Sequence, residues 1–205
     1  MQFLATDIAK RFGHRIIFEK ISFEIREGES LAIAGSNGSG KSTLAKICAG
    51  VLSPHKGTIE IILDGKKIPN EELFRHIGFV SPYLQLYDEF SPLEHITFFQ
   101  RLRNIERTGT ETDALLERVQ LLHRKNDFVR TFSSGMKQRL KYVIALLHNP
   151  SILILDEPSA NLDDEGTATV FEIMKEQSVR GILIVATNVL KEQEFCGQVV
   201  RLGKN

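Results

Sequence analysis

Apolar residues along the chain fall into short consecutive runs separated by stretches with helical spacing. Leu31-Ala32-Ile33-Ala34, Ile152-Leu153-Ile154-Leu155 and Ile182-Leu183-Ile184-Val185 are apolar at every position. Such runs predict strands covered on both faces, as in a parallel sheet packed between helices. Residues 3–8, 16–18 and 21–25 alternate more loosely around Gly13 and charged residues, which predicts a smaller antiparallel sheet at the start. Between about residues 91 and 150 helical signals take over. Ser91-Pro92-Leu93-Glu94 combines a serine cap, a proline at the first helical position and a glutamate that closes a capping box. Thr110 and Asp113 open a second helix, with Leu115, Val119 and Leu122 on one face. A third carries Leu140, Val143, Ile144 and Leu147 on one stripe and is expected to stop at Asn149-Pro150. The expected fold class is α/β: a mainly parallel buried sheet, a small N-terminal antiparallel β subdomain and an inserted α-helical subdomain. One domain is expected over residues 1–205, with 1–81 and 151–205 as the α/β body and 82–150 as the helical insert.

Composition narrows the function. Apolar residues make up 42% and charged residues 25%, the balance of an ordinary globular chain. Lys plus Arg is 26 and Asp plus Glu is 26, a formal charge of zero. That lacks the bulk positive charge that grips nucleic acid, so no nucleic-acid partner is expected. No stretch approaches the roughly 18 consecutive apolar residues that span a bilayer, so any membrane passage must come from another chain. The start has no basic-then-apolar leader pattern. Cys48 and Cys196 stand singly, without ligand spacing to another Cys or His. A disulfide scaffold or zinc site is disfavoured, and a reducing, cytoplasmic setting is expected.

The strongest chemical signal is Gly35-Ser36-Asn37-Gly38-Ser39-Gly40-Lys41-Ser42-Thr43, placed after one strand and before a helical stretch. This is the context that the phosphate-loop pattern requires. Its glycines let successive N–H groups turn inward as an anion nest, and the helix N-terminus adds partial positive charge. Lys41 would reach the β- and γ-phosphates of a nucleoside triphosphate, and Ser42 would hold Mg²⁺. The run from Ile152 ends in Asp156-Glu157. Asp156 is expected to bind the same Mg²⁺, and Glu157 to polarise an attacking water. Taken alone, these two acids read better as caps of the following helix, with Pro158 ending the strand; it is their place on a second buried strand after Lys41 that favours the site.

Between them lies Phe132-Ser133-Ser134-Gly135-Met136-Lys137-Gln138-Arg139, and after them Ser159-Ala160-Asn161-Leu162-Asp163. This order resembles the ATP-binding cassette (ABC) family, whose signature sequence precedes its acidic strand and whose D-loop follows it. The resemblance runs from residue 3 to about residue 202. It implies a phosphate-loop NTPase core that binds and hydrolyses ATP with Mg²⁺. It further implies a head-to-tail dimer, homomeric or heteromeric, in which Ser133, Ser134, Gly135 and Asp163 face ATP held by the partner's phosphate loop. By itself Ser133-Ser134-Gly135 is a helix cap. Phe12 stands where the family has an adenine-stacking aromatic, with a strand-edge role as the rival.

Two positions depart from the pattern. Where the family carries a Mg²⁺-contacting Gln, this chain has Pro82 after Ser81, and Gln85 is the nearest substitute. Where the family has a γ-phosphate-sensing His, Asn188 follows Thr187. Asn can donate a hydrogen bond but cannot carry imidazolium charge, so slower turnover is expected. The resemblance implies an ATP-hydrolysing subunit, peripheral on the cytoplasmic face of the membrane and coupled to integral membrane transporter subunits. The segment Tyr83-Leu84-Gln85-Leu86-Tyr87-Asp88-Glu89-Phe90 is a candidate contact for them, unless Leu84, Leu86 and Phe90 pack inward. The length and residues 181–187 resemble minimal subunits such as the cytochrome c biogenesis haem exporter. A soluble ABC ATPase in cofactor (for example iron–sulfur) assembly and a low-activity regulatory subunit are the alternatives.

Overall fold

The computed structural model describes residues 1–203. Strands β1 (Gln2–Phe12) and β2 (Arg15–Arg26) form a hairpin, and β3 (Ser30–Gly35) leads into helix α1 (Lys41–Cys48). Strands β4 (Lys56–Leu63) and β5 (Lys66–Lys67), helix α2 (Leu73–His76) and β6 (Ile77–Val80) follow. The chain then crosses α3 (Pro92–Arg103), α4 (Gly109–Arg118) and α5 (Ser134–Leu146) before β7 (Ile152–Asp156). Helix α6 (Asp164–Arg180), β8 (Ile182–Thr187), α7 (Leu190–Glu194) and β9 (Gln198–Leu202) complete it.

The strands form two sheets. An antiparallel one has order β2-β1-β4-β5, and a parallel one has order β6-β7-β8-β3-β9. The consecutive apolar runs are explained by the two faces of the parallel sheet. Ile152, Ile154, Ile182 and Ile184 pack with Leu44, Ile47 and Phe3 on one side. Leu153, Leu155, Leu183 and Val185 pack with Leu140, Val143 and Ile173 of α5 and α6 on the other. Gly78 lets α5 approach closely, since a Cβ there would lie 2.6 Å from the Ala145 carbonyl oxygen. All five strands of this sheet point the same way, so the loops after β3, β6, β7 and β8 gather at one edge. Register fixes their ends: Asp156 pairs with Ala186, and Ala34 with Thr187.

Two helix limits differ from the sequence reading. Helix α4 is capped by Thr108, whose hydroxyl accepts from the Glu111 N–H in a full capping box, and Thr110 lies inside it. Its buried anchor is Leu116; Val119 is its cap and Leu122 starts a separate 3₁₀ turn. Helix α5 ends at Leu146, before Asn149-Pro150, and Asn149 has φ 49°.

Cations and a histidine aimed at backbone oxygens brace the helical segment internally and against the sheet. Arg107 donates to the Leu147 carbonyl at 2.6 Å. His148 Nε2 donates to the Ile77 carbonyl at 3.1 Å, while the Arg103 guanidinium lies 2.9 Å from Nδ1. Burial, then the Arg103 charge, followed by smaller effects of Arg107 and His76, pushes the His148 pKa down to about 4. The folded protein therefore binds fewer protons here than the unfolded chain between about pH 4 and 6.5. Stability from this group is complete above that window and is lost as pH falls through it, by roughly 1 kcal/mol per pH unit. Urea unfolding at about pH 7 and about pH 5 is expected to show a smaller acid loss for His148→Gln than for the wild type.

Candidate functional site

The loop between β3 and α1 is shaped by glycine. Gly38 and Gly40 have φ 80° and 100°, and a Cβ on Gly40 would come within 2.5 Å of the Ile17 Cγ2. The turn therefore needs both the left-handed backbone and the absence of a side chain. Lys41 is buried and its Nζ donates back to the Gly35 and Ser36 carbonyls at 3.0 and 3.1 Å. Ser39 Oγ is buried without a partner, facing Gly35. An unsatisfied hydroxyl beside a folded-back ammonium, at the start of a helix, fits an anionic oxygen ligand. Beside the loop lies a cavity of about 630 Å³ whose lining includes Asn37, Gly38, Lys41, Ser42, Thr43 and Glu157.

Asp156 ends β7 with no exposed surface. Its Oδ1 accepts from Ser42 Oγ at 2.8 Å and its Oδ2 from Ser81 Oγ at 3.0 Å. Burial raises the carboxyl pKa, and the two hydroxyls oppose that by favouring the anion. Ser42 and Asp156 thus form a pair of hard oxygen donors suited to Mg²⁺. Glu157 follows with φ 48°, its N–H donating to the Ala186 carbonyl at 2.8 Å. A left-handed glutamate costs of order 1 kcal/mol, and here it lies on the wall of the phosphate-loop cavity. Asn188, just beyond β8, donates from Nδ2 to Asn37 Oδ1 at 3.1 Å, so it rests on the same loop.

Other expected residues lie elsewhere. Gln85 is exposed and lines a separate cavity with Ser134, Lys137, Gln138 and Lys141. Tyr83 occupies the wall of the phosphate-loop cavity instead, its ring 5.6 Å from the Lys46 ammonium. Phe12 is 53% exposed at the end of β1, with Lys10 Nζ 5.2 Å from its ring. Arg15 and Ile17 of β2, rather than Phe12, line the cavity. Ser133 caps α5 by accepting from the Met136 N–H at 3.2 Å. Ser133, Ser134, Gly135 and Asp163 border another cavity, of about 410 Å³, that shares no lining residue with the first. Asp163 caps α6, accepting from the Gly166 N–H at 2.9 Å and from Arg139. The chain therefore brings Lys41, Ser42, Asp156, Glu157 and Asn188 together and keeps the Ser133–Asp163 group apart.

The family description "ABC transporter" matches residues 18–160. This chain belongs to the ABC transporter family. It is 36% identical over 196 residues to the ABC transporter ATP-binding protein YxlF of Bacillus subtilis (strain 168), covering 94% of this chain and 65% of that protein. To the Nod factor export ATP-binding protein I of Rhizobium johnstonii it is 32% identical over 192 residues, covering 91% and 61%. The chain thus spans less than two thirds of the length of these relatives. An ATP-binding subunit of an ABC transporter superposes with TM-score 0.84 at 28% identity, covering 98% of this chain and 86% of that one. A dimeric ATP-binding cassette in a post-hydrolysis state, bound to ADP and Pi, superposes with TM-score 0.83 at 25% identity, covering 98% and 94%. The α/β ABC ATPase fold, with its antiparallel N-terminal sheet, five-stranded parallel sheet and helical insert, is therefore present.

This ABC-family site also contains a residue that no motif marked. Glu192 on α7 is buried and accepts from Ser159 Oγ, in the loop after Glu157, and from Thr187 Oγ1, next to Asn188. Tyr142 lies nearby, its hydroxyl donating to the Pro158 carbonyl at 2.8 Å. Burial first and Glu192 second raise the pKa of that phenol. Within Lys191-Glu192-Gln193-Glu194 the residue reads as one more surface charge. Removing a buried acceptor of two hydroxyls costs about 2–3 kcal/mol, so Glu192→Ala is expected to lose that much in denaturant unfolding. Glu192→Gln should lose less, since its amide oxygen still accepts.

Proposed function

We propose that this chain is the ATP-binding and ATP-hydrolysing subunit of an ABC transporter, driving separate membrane subunits through ATP-dependent pairing of two cassettes. The observation that carries this reading is that Glu157 lines the same cavity as Lys41 and Ser42, with Ser42 hydrogen-bonded to Asp156. The loop N–H groups, the α1 terminus and Lys41 bind the β- and γ-phosphates of ATP. Ser42 and Asp156 hold Mg²⁺, which supplies charge neutralisation on the phosphates when bound. Glu157 holds and polarises the attacking water, and Asn188 donates a hydrogen bond toward the γ-phosphate. Ser133, Ser134, Gly135 and Asp163 act on the nucleotide of a second cassette, identical or related, as their distance from this chain's own phosphate loop suggests. Phe12 flanks the adenine from its exposed position. Residues 82–150 serve as the insert that carries the signature, and residues 1–81 and 151–205 as the body.

The names of relatives such as the Nod factor export ATP-binding protein I favour export over import. A low-turnover regulatory subunit is the second reading, favoured by Asn188 and by the place of Gln85 outside the phosphate-loop cavity. One assay separates them. Mg²⁺-dependent phosphate release is expected to fall by at least about a hundredfold in Glu157→Gln, which removes the base, with ATP binding retained. Asn188→His is expected to raise turnover by restoring a cationic donor. If neither substitution changes phosphate release, this assignment of the site is wrong.

No described helix is long and apolar enough to cross a membrane, so attachment to the cytoplasmic face would be through partner subunits. Their contact is proposed at the segment after β6. Leu86 and Phe90 are half-buried, whereas Tyr83, Leu84 and Tyr87 are exposed. The Tyr87 ring, 54% exposed, sits 5.1 Å from Phe90 and 5.8 Å from Phe98. Its N–H donates to Nε2 of the buried His95 at 3.0 Å, which fixes the ring's presentation. Tyr87→Ala is expected to lose co-purifying multi-span membrane proteins while ATP binding is unchanged; retention of both would remove this contact.

A further inference from the structure

Helix α5 begins at the Ser133 cap, and two turns further on it carries Lys141, a buried lysine. Its Nζ donates to the Pro82 carbonyl at 2.7 Å, to the Ser81 carbonyl at 3.1 Å and to Gln138 Oε1 at 3.4 Å. Among the described residues no carboxylate forms an ion pair with it. Burying an ammonium against neutral acceptors alone costs stability unless the geometry is well satisfied. Burial first, and the nearby Lys137 charge second, lower its pKa. An apolar side chain would pack this position at less cost, so the ammonium answers to something other than packing.

The carbonyls that it holds belong to the residues on which the metal-side carboxylate depends. Ser81 has no exposed surface, and its hydroxyl donates to Asp156 Oδ2 at 3.0 Å. Asp156 Oδ1 in turn accepts from Ser42 at 2.8 Å. A continuous chain of polar contacts thus runs from α5 through Lys141, the Ser81–Pro82 backbone, Ser81 Oγ and Asp156 to Ser42 on the phosphate-loop helix. Gln85, which the family resemblance offers for this link, lines one cavity with Pro82 and Lys141, but the hydrogen bonds of the path run through Lys141 and Ser81.

We propose that Lys141 is a positioning residue that couples the helix behind Ser133–Gly135 to the Asp156 carboxylate, acting through the Ser81 and Pro82 carbonyls. This rests on the ATPase reading above. Movement of α5 when a second cassette engages its N-terminus is delivered to the 81–82 peptide, because the ammonium grips both carbonyls at once. Ser81 Oγ then carries that movement to Asp156. Lys141 acts on the Ser81 and Pro82 carbonyls and Ser81 on the carboxylate, so both set where the carboxylate stands.

The test is Lys141→Met, which keeps the stem and removes the donors. ATP affinity is expected to be unchanged, because the phosphate loop is intact, while kcat falls by about tenfold as a transition-state-only loss. In a Glu157→Gln background, ATP-dependent dimerisation of Lys141→Met should require about tenfold more protein. Lys141→Arg, which keeps a cationic N–H donor at the end of a long stem, should recover part of both. Ser81→Ala combined with Lys141→Met should be no slower than the slower single variant, since both break one path. Unchanged kcat and dimerisation in Lys141→Met, or losses that multiply in the double variant, overturn the proposal. Should Lys141→Met fold poorly, Lys141→Gln, shorter and uncharged, takes the same measurements with the same expected and overturning results. Turnover lost in Glu157→Gln yet unaltered in the lysine variant overturns this coupling alone. Turnover insensitive to both overturns the ATPase reading.

Discussion

A carboxylate without exposed surface organises the functional edge of this molecule. Asp156 has one oxygen on Ser42 and the other on Ser81, so a single group is bonded to the first turn of α1 and to the exit of β6. Leaving either oxygen unpaired in the interior would cost about 1–3 kcal/mol. Three chain segments are thereby held in one relative position. The ladder pairing of Asp156 with Ala186 sets where β8 ends. The next turn then places Asn188 against Asn37 of the phosphate loop. Parallel strands covered on both faces supply the rigidity, since Ile and Leu alternate between two separate cores.

The features legible beforehand share a physical trait: they are local. Consecutive apolar residues report a strand buried on two faces, and the glycine spacing of residues 35–40 reports a turn that only glycine can take. The capping box at Ser91 stands in the fold as the residues implied. What the pattern could not disclose depends on contacts between distant segments. The start of α4 is the local exception: threonine suits a cap at both 108 and 110, and Thr108 makes the reciprocal bonds with Glu111. Gln85 was the nearest glutamine in the sequence, yet the backbone after Pro82 directs it into a different cavity from Lys41. Glu192 and Lys141 bind hydroxyls and carbonyls dozens of residues away, and such partners leave no periodicity to read.

The helical insert is tied down in an unusual currency. Arg107 meets the Leu147 carbonyl, and Lys141 meets those of Ser81 and Pro82. His148 does the same at Ile77, with Arg103 behind it. Arg107 at Leu147 satisfies an acceptor that the C-terminus of α5 itself leaves open. Bonds to dipoles in partly buried places are screened less by salt than exposed ion pairs are. The surface pairs of this chain, such as Lys67 with Glu60, contribute far less to its architecture.

Gly135 has room for hydrogen only: a Cβ there would lie 2.8 Å from the Asn161 carbonyl oxygen. The start of α5 and the loop after Glu157 are therefore in backbone contact with no compressible side chain between them. Asn161 is itself left-handed, at φ 63°, a conformation that asparagine tolerates better than most residues. The two behave as meshed teeth rather than as neighbours joined by a spring. The helix tip and the segment behind the acidic residues thus meet backbone to backbone, and a side chain at position 135 would force them apart.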